Sequence, residues 1–125
     1  MSLLLDTHTL LWWLSADPTL SDEAREAIAR EDQIVFVSAA SAWEISTKKG
    51  IGKLEAPDDL EERLRQHQFE PLAISVQQAL AAGELPHHHD DPFDRMLVAQ
   101  AQVERLTVVT RDPRIRAYDV PILTA

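Results

Sequence analysis

The tightest constraint on the fold is a set of short apolar runs separated by segments of helical character. Leu3-Leu4-Leu5, Ile34-Val35-Phe36-Val37 and Leu106-Thr107-Val108-Val109-Thr110 each read as a buried strand. Between them, helices are predicted over 7–15, 21–30, from Ser38 or Ser41 to about Lys49, and over 57–67, 75–82 and 92–104. Asp17-Pro18 and Gly50 mark breaks, and 83–91 reads as a loop. Phe69 to Ile74 has room for a strand interrupted by Pro71, Asp112-Pro113 opens a turn of helix, and Val120 to Leu123 is a weak terminal strand. Short strands alternating with helices predict an α/β layered fold with a mostly parallel sheet. At 125 residues, with no repeat, linker or low-complexity segment, the chain is expected to form one domain over 1–125.

Composition narrows the chemistry. Cysteine is absent, which excludes disulfides and thiolate metal sites and fits a cytoplasmic protein. No apolar run is long enough to span a bilayer, and the N-terminus reads as a strand, not a signal peptide. The formal charge of −9 argues against a broad nucleic-acid-gripping surface, which is usually basic. With only three glycines there is no glycine-rich phosphate loop, so kinase and P-loop chemistries fail.

The acids are then decided by position. In open parallel sheets, sites form beyond the carboxyl ends of the strands. Asp6 follows the first strand, Glu44 lies in the helix fed by the second, and Asp112 follows the run Leu106 to Thr110. Asp94 sits at a helix start that can face the same edge. Each also has a purely local explanation. Asp6 or Thr7 can cap a helix, Ser41-Ala42-Trp43-Glu44 fits a capping box, and Asp112 can cap before Pro113. Asp91-Pro92-Phe93-Asp94 reads as an N-cap, a first-position proline and an acid favoured by the helix dipole. Convergence of four acids on one edge points instead to a metal site. Carboxylates suit Mg²⁺ or Mn²⁺, and two such ions ~3.5–4 Å apart can clamp a phosphodiester.

Four stretches carry a resemblance to PIN-domain ribonucleases, and among them to VapC-type toxins of toxin–antitoxin pairs. They are Leu3-Leu4-Leu5-Asp6-Thr7-His8, Ser41-Ala42-Trp43-Glu44-Ile45, Leu85 to Arg95 with Leu97 and Ala99-Gln100-Ala101, and Val109-Thr110-Arg111-Asp112. They span nearly the whole chain in order. The resemblance implies a PIN-like three-layer fold and Mg²⁺- or Mn²⁺-dependent hydrolysis of RNA by metal-activated water. It makes Asp6, Glu44, Asp94 and Asp112 the catalytic, metal-binding acids, with a homodimer and a cognate antitoxin as partners. Asp91 is assigned a cap or supporting role. Thr110 is expected to orient Asp112 or a water, and Arg95 to contact substrate, tie down an acid or form a surface ion pair.

Other residues have plainer readings. Of His87-His88-His89 only His89 fits the pattern, as loop structure or a hydrogen bond to an acid in preference to zinc ligation. His8 is expected at the helix surface or pocket rim. Trp13 and Trp43 are expected in core or interface packing and Trp12 in solvent. Lys48, Lys49 and Lys53 fit either phosphate contact or a solvated helix end. Two rival functions stay open. One is an aspartate-based phosphotransfer enzyme, although such enzymes want an acid where this chain has His8. The other is a non-catalytic interaction module on a nuclease scaffold, against which the four acids argue.

Overall fold

The computed structural model describes residues 2–125. Its strands are β1 (Ser2–Leu5), β2 (Ile34–Ser38), β3 (Glu70–Leu72), β4 (Thr107–Thr110) and β5 (Ile122–Thr124). They form one sheet in the order β3-β2-β1-β4-β5, with every pairing parallel. The helices are α1 (Thr7–Leu14), α2 (Asp22–Ala29), α3 (Ala39–Gly50), α4 (Leu60–Gln66), α5 (Val76–Glu84) and α6 (Pro92–Glu104). A 3₁₀ turn spans Ile115–Ala117.

Side chains of a strand alternate between faces, and β1 shows the consequence. Leu3 and Leu5 pack with Leu10, Leu14, Ala24 and Ile28 of α1 and α2, while Leu4 packs with Leu97, Val98 and Ala101 of α6. All three leucines are fully buried. Val109 and Val108 divide between the two faces in the same way. The sheet is thus covered on both sides, which is why its strands read as continuous apolar runs. This is the α/β layered arrangement with a parallel sheet expected from the sequence.

Several boundaries moved. The α3 helix starts at Ala39, because Ser38 accepts a hydrogen bond from the Ala40 N–H. Glu44 therefore lies in the second turn and forms no capping box with Ser41. The α5 helix runs past Gly83 to Glu84, and its start is fixed by a capping box between Ser75 and Gln78. The α4 helix is shorter than expected, Leu60–Gln66, and Asp59 gives it no side-chain cap. Beneath α6, a buried polar chain joins elements: Ser38 Oγ donates to Gln100 Oε1 (2.5 Å), and Gln100 Nε2 donates to Gln78 Oε1 (3.1 Å). Buried amides demand such partners, so this chain fixes how α3, α5 and α6 pack together.

Candidate metal centre

Parallel pairing puts the carboxyl ends of β1, β2 and β4 along one edge of the sheet. The first acid there is Asp6, which leaves β1 and caps α1 by accepting the Thr9 N–H at Oδ1 (2.8 Å). Its Oδ2 accepts the Thr110 hydroxyl at 2.5 Å. That hydroxyl oxygen in turn accepts the Asp112 N–H at 3.0 Å. Thr110, the last residue of β4, thereby fixes Asp6 and Asp112 relative to one another. Burial pushes the Asp6 carboxyl above the ordinary aspartate range, against the lowering effect of its two hydrogen bonds.

Asp94 arrives from the first turn of α6. Asp91 caps that helix, accepting from the N–H groups of Phe93 (2.8 Å) and Asp94 (3.1 Å), and Pro92 occupies the first turn. The Asp94 carboxyl lies close enough to the other acids to feel their charges. Burial first, then the charges of Asp91, Asp6, Glu44 and Asp112, push it up to about 8. Glu44 reaches the cluster from α3. Its Oε1 accepts the Thr7 hydroxyl at 2.6 Å, and its Oε2 is paired with the Lys48 ammonium.

His89 closes the group. It is buried, with Nε2 2.9 Å from Asp94 Oδ2 and 3.1 Å from Asp112 Oδ2. Its Nδ1 accepts the Asp91 N–H at 3.2 Å, which assigns the ring proton to Nε2. His89 is therefore a donor that bridges two acids. His89, Asp94 and Asp112 each place a ligand-type atom within 4.8 Å of the other two. Like charges held this close favour a bound cation or a trapped proton, and oxygen donors of this kind fit Mg²⁺ or Mn²⁺.

Residues 3–121 match the sequence model of the PIN domain. The chain belongs to the PIN domain family. This PIN domain is 28% identical over 123 residues to ribonuclease VapC22 of Mycobacterium tuberculosis, covering 96% of this chain and 94% of that protein. It resembles a crystal structure of VapBC2 from Rickettsia felis bound to a DNA fragment from its promoter. There the TM-score is 0.71 at 17% identity, with 98% of each chain covered. It also resembles FitAcB from Neisseria gonorrhoeae, with TM-score 0.67 at 25% identity over 98% of this chain and 96% of the other.

Within this PIN domain Asp94 feels the charges of Asp6, Glu44 and Asp112, but of the four acids expected from the sequence only Asp94 and Asp112 join His89 in the close cluster among the described residues, and several supporting residues take roles other than those expected. Arg95 touches no acid. Its Nη2 donates to the carbonyls of Ala82 (2.9 Å) and Leu85 (3.0 Å), and its Nη1 to the carbonyl of Pro86 (3.0 Å). It clamps the loop carrying His89, because carbonyls leaving the end of α5 need donors. Trp43 is 64% exposed, resting edge-on against Phe93 at 5.1 Å between ring centroids. Trp12, expected in solvent, is half-buried beneath the Arg111 guanidinium, 3.9 Å from the ring. His8 is exposed, as expected.

One working residue, Tyr118, went unread in the sequence, and two others, Thr7 and Lys48, take roles that it did not assign. Tyr118 donates to the Pro86 carbonyl (2.6 Å) and accepts the N–H groups of His88 and His89 (3.2 and 3.1 Å). It is the only tyrosine in the chain, which was the one available signal. Thr7 holds Glu44, and its adjacency to Asp6 was the clue to its place. Lys48, weighed only as a phosphate contact or solvated end, is paired with Glu44 four residues earlier.

Proposed function

We propose that this chain is the RNA-cleaving toxin of a toxin–antitoxin pair, and that Mg²⁺ or Mn²⁺ held by Asp6, Glu44, Asp94 and Asp112 supports hydrolysis. The observation that carries this reading is Asp94, gathered with three other acids from separate elements at the carboxyl edge of a parallel sheet. Membership of the PIN family, the likeness to ribonuclease VapC22 and the fold shared with a toxin–antitoxin complex from Klebsiella pneumoniae all support it. A bound divalent ion offsets charge on the phosphate and lowers the pKa of water. The protein's own part is positional. Thr110 and Thr9 hold the Asp6 carboxylate, Thr7 holds that of Glu44, and His89 donates to those of Asp94 and Asp112.

The partner reading follows from charge and exposure. A chain of net charge −9 favours a basic antitoxin segment. Val76 and Leu80, one turn apart on α5, are 78% and 67% exposed, which supports further protein contact, including a homodimer. No helix among the described residues is long and apolar enough to cross a membrane. The decisive experiment is cleavage of single-stranded RNA in Mg²⁺ or Mn²⁺ by the wild type, Asp6→Asn and Asp94→Asn. Both variants are expected to lose at least ~100-fold in rate. Cleavage that survives both, in preparations free of contaminating nuclease, rejects the assignment.

A further inference from the structure

We propose that Lys48 is a built-in counter-ion of Glu44 that a divalent cation must displace to reach that carboxylate. The inference rests on the metal-centre reading above and adds a step to it. Both Glu44 oxygens are engaged: Oε1 by the Thr7 hydroxyl at 2.6 Å, and Oε2 by the Lys48 ammonium. The two partners are not equivalent. Thr7 is buried and short, fixed at the start of α1, whereas Lys48 sits at the end of a flexible stem with its side chain 33% exposed. The Glu44 side chain is only 5% exposed, and a carboxylate so far removed from water is best accommodated beside a cation.

Lys48 supplies that cation while no metal does. Its charge also lies within reach of Asp91 and Asp94, so it serves the whole cluster. A divalent ion carries twice the charge and interacts with several acids at once, which favours exchange. The ammonium is readily hydrated, and an aromatic face is at hand: its Nζ, while still paired with Glu44, lies 5.9 Å from the Phe93 ring centroid. Displaced there, it leaves a positive charge on the rim of the acidic cluster, where an RNA phosphate would approach.

The test measures metal affinity without RNA. Calorimetric Mn²⁺ titration at pH 8 compares the wild type, Lys48→Met and Lys48→Arg. Removing the competitor is expected to tighten binding about tenfold in Lys48→Met, the strength of one charge-assisted hydrogen bond. Lys48→Arg keeps the pair and is expected to match the wild type. A merely structural lysine would give the opposite sign, because its loss would loosen α3. Unchanged or weaker binding in Lys48→Met, with normal binding by the wild type, overturns the proposal and leaves the metal-centre reading intact. Absence of Mn²⁺ binding in the wild type overturns both. A second measurement needs no variant: the Lys48 side-chain NMR signals of wild-type protein should move as Mg²⁺ is added, and signals that stay fixed at full occupancy reject the displacement.

Discussion

At the residue scale, Asp94 is the group whose charge the fold resists most visibly. Its carboxyl titrates at about 8, against 3.8 for a free aspartate, because it is buried among other acids. Between those values the folded chain holds a proton that the unfolded chain has released. Stability of the metal-free protein therefore falls as pH rises from about 4 to about 8. A divalent ion competes with that proton, so its affinity rises over the same interval. Thermal melts should show this directly: the midpoint in EDTA should be lower at pH 8 than at pH 5.5, and Mg²⁺ should recover most at pH 8. A melting midpoint that is flat in pH, with and without Mg²⁺, would refute this placement of Asp94. The His89 Nε2 proton lies between the Asp94 and Asp112 carboxyl groups and holds their oxygens together.

At the element scale, the loop between α5 and α6 holds the histidine in place. Arg95 binds the carbonyls at the end of α5, and Tyr118 binds both the Pro86 carbonyl and the N–H groups of His88 and His89. Neither residue touches an acid of the cluster, yet each fixes where His89 points. Tyr118→Phe leaves the buried N–H of His89 without its partner, costing about 1–3 kcal/mol, or roughly 4–12 °C in melting midpoint. Mn²⁺ affinity should fall as well, although every carboxylate remains. Scanning calorimetry with a Mn²⁺ titration checks both, and full metal affinity in Tyr118→Phe would show that the loop does not govern the site.

At the scale of the whole molecule, the architecture was legible in the sequence because a doubly covered parallel sheet writes itself as apolar runs, as in Leu3-Leu4-Leu5. The positions of Asp6 and Asp112 were legible for the same reason, since each follows a strand. The roles of Arg95 and Tyr118 were not, because their partners are backbone groups far along the chain that no local pattern encodes, whereas the Lys48–Glu44 pair is an i, i+4 spacing on one helix that was there to be read. Of the two capping signals at the start of α3, Ser38 and Ser41, the first is the true cap, and it additionally serves the buried Gln100. The net charge of −9 has its own consequence for the proposed function: an RNA substrate would be held mainly through bound metal and a few cations such as Lys48. Fluorescence anisotropy with a labelled single-stranded RNA should show affinity falling at least about tenfold in EDTA, and equal affinity with and without Mg²⁺ would reject a metal-bridged complex. The strand order carries a last implication. β1 lies between β2 and β4, so Asp6 waits for a neighbour made about a hundred residues later, tied to it through Thr110. A ribosome making this chain thus completes most of it before the connection from Asp6 through Thr110 to Asp112 can form.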